Sequence, residues 1–346
     1  MSKSTSAGVF DRPEIFLSLG LALLDQKKGA AVEELIADTL ARHPGDPLYE
    51  NVARIIRTRN LRGWHASMLR DAPRNMAYRA AIEGLAQGRV VLDIGTGSGL
   101  LAMMAARAGA KRVIACEANP LVAEAARRIV AANGFEDVIT VHACHSTALT
   151  REMIGDEGAE LVVSEIFAAD LVGEGVLPAL EHARAELCAP GALFVPEAAC
   201  LRVALVELDN VEAPPRMVEG FDLGEFLPLY FNSELIDPFS RQVCLRSEPA
   251  DLAVLNWNIP SPVPVTGHAQ TSVTATGGVI NAVLQWLKID FGNGITYENP
   301  PDGDAATHWD PIAYFLPEPV KTEAGQTLEV EAFYHATTLK VWSRSG

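Results

Sequence analysis

Two glutamates, Glu165 and Glu174, stand nine residues apart in the stretch from Ser164 to Gly175, directly after the apolar run Leu161-Val162-Val163. That run reads as a buried strand, which puts Glu165 at a strand end. Neighbouring carboxylates raise one another's pKa and oppose folding, so a pair in such a place calls for a cation. A guanidinium meets the demand, because it is planar, always charged and donates to two partners at once. Upstream lies a second chemical cluster, Asp93-Ile94-Gly95-Thr96-Gly97-Ser98-Gly99. Its glycines let backbone approach a ligand and turn tightly. The spacing is G-x-G-x-G, not G-x-G-x-x-G, and no Lys-Ser/Thr follows as in a P-loop. Asp93 inside the loop favours a cationic amino group or a sulfonium over a pyrophosphate. Glu117, ending the next apolar run, would accept hydrogen bonds from ribose hydroxyls. A dinucleotide oxidoreductase and a glycine turn without any ligand are the competing readings of this loop.

The elements that must position these residues alternate in type. Strand-like runs at 90–94, 113–116, 139–143, 161–164 and 192–196 are separated by helical stretches at 99–108, 120–133 and 173–188. That order predicts a doubly wound, mostly parallel, Rossmann-like sheet. Ahead of it, residues 13–57 carry helical apolar stripes such as Leu17, Leu21 and Leu24, broken at Gly29. This reads as one tetratricopeptide-like helical hairpin, which cannot bury its own face and so packs on the next domain or takes a peptide. Residues 60–85 read as mostly helical. After Pro196 short β-branched runs alternate with turns, which predicts an antiparallel β-barrel or sandwich. The expected domains are therefore 1–58 helical, 59–197 Rossmann-like and 198–346 β-barrel-like. Within the last, an insertion at about 215–240 holds Phe221, Phe226, Leu227, Tyr230, Phe231 and Phe239. So aromatic a segment packs on its own domain or forms a dimer contact, and a homodimer is expected.

Bulk properties narrow the class. The 346 residues are 49% hydrophobic and 21% charged, an ordinary globular composition. A net charge of −16 repels phosphate backbones, so no direct nucleic-acid role is expected, and it attracts basic partners unless it serves solubility alone. No apolar run reaches the roughly 20 residues that span a bilayer. The start lacks a secretory apolar core. Five cysteines, at 116, 144, 188, 200 and 244, include no C-x-x-C pair. Reduced thiols in a cytoplasmic protein are expected, and no metal site.

The glycine loop with Glu117 resembles that of class I S-adenosylmethionine-dependent methyltransferases. The resemblance implies a cofactor set of Asp93, Gly95, Gly97, Gly99, Leu100, Glu117 and Ala118, with Ser146 or Thr147 meeting the adenine amino group. The neighbouring His142 and His145 read as structural or exposed. The segment Met68-Leu69-Arg70-Asp71-Ala72-Pro73-Arg74-Asn75-Met76-Ala77-Tyr78 resembles the M-L-x-D-x-x-R-x-x-x-Y signature of protein arginine N-methyltransferases. Ser164-Glu165 … Glu174 resembles their double-glutamate loop, and Thr307-His308-Trp309 their Thr-His-Trp loop. Asn133-Gly134-Phe135, His145-Ser146-Thr147 and Leu171–Pro178 resemble the 7 and 9 branch, as does a helical hairpin ahead of the core. The resemblance covers about residues 60–342. Two departures leave the shape of the substrate groove open. Asn60-Leu61-Arg62-Gly63-Trp64 stands where a tyrosine-rich start is usual, and Asp310-Pro311 follows the Thr-His-Trp loop.

The resemblance implies S-adenosylmethionine as cofactor and an arginine-containing basic protein or peptide as substrate. Arg74 is then the grip on the cofactor carboxylate, and Met68 lies beside the transferring methyl. Glu165 and Glu174 bind the guanidinium, Trp309 walls its slot, and His308 paired with Asp71 is the exit for the proton. Glu165 also borders the cofactor. Similarity to branch 7 favours a monomethylated product. Plainer readings stand beside these: a strand-end acid for Glu165, a helix N-terminal acid for Glu174, a satisfied polar residue for His308 and a solvated surface charge for Arg74. The competing functions are a methyltransferase for a small amine or guanidine, and an inactive cofactor-binding interaction protein.

Overall fold

A computed structural model describes residues 11–59, 65–209, 211, 215–229, 233–237, 242–259, 263–301 and 308–344. Thr307, the run 60–64 and the aromatic residues Tyr230, Phe231 and Phe239 lie outside the described residues. The chain forms two compact units. One gathers Met1–Leu69, Ile82–Glu165 and His182–Ala192; the other gathers Arg70–Ala81, Ile166–Glu181 and Leu193–Gly346.

The first unit opens with α1 (Pro13–Asp25), α2 (Gly29–Arg42) and α3 (Pro47–Thr58). Proline begins α1 and α3, where its missing N–H costs nothing, and the Asp46 side chain caps α3 by accepting from Leu48 N–H at 2.9 Å. The sequence pattern anticipated two helices here; a third arises because α2 ends at Arg42, just before His43-Pro44, and Pro47 starts another. Phe16, Leu24, Val32, Ile36, Val52 and Ile56 fill a core that takes in Leu121. Leu121 belongs to α7 (Pro120–Ala132), so the leading helices pack on the nucleotide-fold part of the unit. Contact is close: a Cβ added at Gly29 would sit 2.1 Å from the Pro120 carbonyl oxygen. Glu33 of α2 adds charge pairing, with Arg57 of α3 at 2.7 Å and Arg128 of α7 at 3.6 Å.

Helices α4 (His65–Arg70) and α5 (Ala72–Leu85) lead into β1 (Val90–Ile94). Then follow α6 (Leu100–Arg107), β2 (Arg112–Cys116), α7, β3 (Ile139–His142), α8 (Arg151–Ile154) and β4 (Ala159–Ser164). After α9 (Val176–His182), which continues as a single π turn over Ala183–Leu187, comes β5 (Cys188–Val195). The sheet order is β3-β2-β1-β4-β5, with β1 parallel to both β2 and β4. Every residue of β1 is buried, as a strand covered on both faces requires.

The second unit holds an antiparallel sheet. Its strands are β6 (Ala198–Leu208), β9 (Ser233–Leu235), β10 (Val243–Leu245), β11 (Ala250–Asn256), β12 (Thr266–Asp290), β13 (Thr296–Glu298), β14 (Ile312–His335) and β15 (Thr338–Arg344). β7 (Met217–Val218) and β8 (Phe221–Asp222) pair with each other as a two-stranded sheet. The central path is β10-β6-β12-β14-β15. Where the sequence suggested short runs separated by turns, β12 and β14 run on for 25 and 24 residues. Gly277, Gly278 and Gly325 take φ of +93°, +111° and +90°, and the pairing slips between Thr274 and Thr276 and again between Ile280 and Ala282. Bulges thus bend one long ribbon at points that read as breaks in the sequence.

Candidate active site

In the first unit, the strand order reverses between β1 and β4, the usual place for a ligand crevice in an open parallel sheet. Ile94 pairs with Ser164, so Gly95 and Glu165 leave adjacent strand ends together. Gly95, Gly97 and Gly99 take φ of +73°, +55° and +82°, backbone that side chains resist. Gly99 is the N-cap of α6, with Leu100 its first residue. Asp93 is buried at 1% exposure and accepts from Thr96 Oγ1 at 2.5 Å. The Glu117 carboxylate ties two turns together, accepting from Gly97 N–H at 3.1 Å and Asn119 N–H at 2.8 Å. Ala118 beside it is exposed. After β3, Ser146 is buried and Thr147 is exposed, its hydroxyl 2.9 Å from His145 Nδ1. His145 therefore orders this turn. Burial and the nearby Arg127 push the His142 pKa down. Met68 is buried in α4. Left-handed glycines at a helix start, a buried acid and a ribose-ready carboxylate at the strand ends fit an adenosyl sulfonium cofactor.

The second unit carries the remaining predicted residues. Asp71 precedes α5 and caps it, its Oδ1 accepting from Arg74 N–H at 3.1 Å. Its Oδ2 receives His308 Nδ1–H at 3.1 Å and the Tyr297 hydroxyl at 2.6 Å. Asp71 and His308 are nearly dry, with side chains 1% and 4% exposed. Burial raises the Asp71 pKa, but the bonds from His308, Tyr297 and Arg74 outweigh it and hold the carboxyl below its ordinary value. Arg74 is 2% exposed, which excludes a solvated surface charge. Its guanidinium donates to Asn75 Oδ1 at 2.7 Å and lies 4.7 Å from the Tyr78 ring centre. Trp309 is buried, with its indole N–H on the Phe167 carbonyl at 2.7 Å and its own carbonyl receiving Asn299 Nδ2 at 2.6 Å. Glu174 is half-buried two residues ahead of α9, so the loop, not the helix, carries it.

Sequence reasoning passed over Tyr297 and Gln285. Tyr297 sits on a three-residue strand in a turn-rich stretch, where no pattern marks it. Gln285 did carry a signal: it is the one polar residue in Val283-Leu284-Gln285-Trp286-Leu287, and it is fully buried.

Residues 76–190 match the family model for ribosomal protein L11 methyltransferase. The chain is 38% identical over 338 residues to an arginine N(omega)-methyltransferase of Streptomyces achromogenes subsp. streptozoticus, covering 93% of this chain and 91% of that one. The chain belongs to the arginine N-methyltransferase family. Protein arginine N-methyltransferase 7 of Gallus gallus is 43% identical over 308 residues, 78% of this chain and 44% of its own, so this methyltransferase spans under half the length of that relative. The Trypanosoma brucei PRMT1 enzyme–prozyme heterotetrameric complex with AdoHcy superposes with a TM-score of 0.68 at 25% identity, over 82% of this chain and 96% of that chain. The two-domain fold and the branch 7 likeness of the arginine methyltransferase agree with these relatives, and its reaction is S-adenosylmethionine-dependent methylation of arginine.

Proposed function

We propose that this methyltransferase places one methyl on a terminal guanidinium nitrogen of arginine in basic proteins or peptides. The observation that carries the residue roles is the buried Asp71–His308 pair, contributed by sequence segments 237 residues apart. The residues at the strand ends, Asp93, Gly95, Gly97, Gly99, Leu100, Glu117, Ala118, Ser146 and Thr147, hold the cofactor together with Arg74. When bound, S-adenosylmethionine supplies an electrophilic methyl on a sulfonium. Glu165 and Glu174 hold the guanidinium and draw positive charge toward the nitrogens they bind, leaving the remaining one richer in electron density. Met68 and Trp309 border the acceptor. His308 donates from Nδ1 to Asp71, so the neutral ring keeps its lone pair on Nε2. That atom takes the proton released from the methylated nitrogen, and Asp71 stabilises the imidazolium. Exposed apolar side chains at Phe221, Leu229 and Leu235, which are 71%, 69% and 58% exposed, support a homodimer contact. Five free cysteines support a cytoplasmic setting.

A second reading is free arginine as acceptor. The relative matched over 91% of its length is named an arginine N(omega)-methyltransferase. Labelled methyl transfer to arginine-rich peptides and to free arginine, followed by amino-acid analysis, separates the two. Monomethylarginine in peptides is the expected product. Dimethylarginine overturns the product assignment, and label confined to free arginine overturns the substrate.

A further inference from the structure

Residues 166–175, between β4 and α9, form no helix or strand, so the position of Glu174 depends on what holds this loop. Inside the loop, Leu171 N–H bonds to Ala168 O at 2.7 Å, Gly173 N–H to Asp170 Oδ1 at 2.8 Å and Gly175 N–H to Val172 O at 2.9 Å. Two of its carbonyls are held from outside it, one from the bend before β14 and one from β12. Trp309 donates to Phe167 O, and Gln285 Nε2 donates to Ala169 O at 2.6 Å. Gln285 lies in the last third of β12, paired with Val203 on one side and Ile312 on the other, and none of its side chain meets solvent. A buried amide is costly unless both ends are satisfied. Here both are: the buried Tyr314 hydroxyl donates to Gln285 Oε1 at 3.1 Å. An aliphatic residue would suit the strand better, so the amide is explained by what it holds. Two ionisable groups border this chain of bonds, Asp170 and Lys340.

We infer that Gln285, oriented by Tyr314, is a positioning residue that holds the loop so that Glu174 meets the acceptor guanidinium. The inference rests on the role proposed above for Glu174. Independently of turnover, the loop must be less protected without the amide.

The test uses the full chain with Gln285→Met, Gln285→Glu and Tyr314→Phe. In Gln285→Met, hydrogen exchange of amides 168–175 should quicken about 5- to 100-fold, the effect of one lost buried bond, with β1 and β2 unchanged. Its kcat should drop roughly 10- to 100-fold through misplacement of the acceptor, with S-adenosylhomocysteine affinity retained. Tyr314→Phe should move both readouts the same way and less far. Gln285→Glu gives the sharper signature. An ionised carboxylate cannot donate to Ala169 O, but a protonated one can. Burial raises its pKa, so its kcat relative to wild type at the same pH should recover between about pH 8 and pH 6. Unchanged exchange in Gln285→Met overturns the anchor. A flat kcat ratio for Gln285→Glu, or equal loss of cofactor affinity and melting temperature, overturns the positioning role. A wild type that methylates no form of arginine refutes the proposed function instead, and the exchange result still decides the anchor.

Discussion

Asp71 is the residue where several tasks meet. One carboxylate caps α5, orients His308 and accepts from Tyr297. Because its folded pKa is depressed, the stability it contributes is present at neutral pH and is lost as pH falls through the lowered value. Tyr297→Phe removes one of the bonds that lower it. The acid-side loss of melting temperature should then be smaller than in wild type and level off at higher pH; coincident curves would show that the hydroxyl does not tune Asp71. Glu174→Gln keeps the size of the side chain but removes a charge from the proposed guanidinium clamp. Methyl transfer should fall by about 100-fold or more, with S-adenosylhomocysteine binding by calorimetry little changed. Wild-type turnover in that variant would remove Glu174 from the mechanism.

At the scale of elements, the leading helices and α7 share one core, and the approach at Gly29 is closer than any side chain allows. Gly29→Ala should destabilise the fold by about 1–3 kcal/mol, the ordinary cost of overpacking. Gly84→Ala is the control, since a Cβ there in α5 meets nothing within 4 Å. It should be neutral or stabilising by up to about 1 kcal/mol. Denaturant titration of the two variants compares them directly, and equal midpoints would mean that α2 does not lean on α7 in solution. The same elements show how far periodicity reads. Helical stripes located α1 and α2, and the alternation of strand and helix located the parallel sheet, because both periods are local. The length of β12 and β14 was hidden, because glycines that bend a ribbon through a bulge carry the same signal as glycines that end a strand.

At the scale of the whole molecule, the net charge of −16 favours encounter with basic peptides. The KM for an arginine-rich peptide should rise with salt much more steeply than the KM for a singly charged guanidine, since screening acts on the multivalent partner most. Parallel slopes would count against a basic macromolecular substrate. A double Phe221→Asp, Leu229→Asp change should shift sedimentation toward monomer with the fold intact; an unchanged distribution would exclude that patch as the contact.

By itself the sequence determined the class of chemistry. A glycine loop between a strand and a helix, an acid after the next strand, two glutamates nine residues apart and a late His-Trp pair are short-range patterns, and side-chain type with spacing suffices to read them. Tertiary structure alone decided which partners those residues have. That Asp71 meets His308 was implied by family likeness, but that Tyr297 shares the same oxygen was not written in any local pattern. Nor was the burial of Arg74, or the hold of Gln285 on the loop before Glu174. Such contacts join residues far apart in the chain through single hydrogen bonds, and a lone tyrosine or glutamine has no period to reveal the strand it will face.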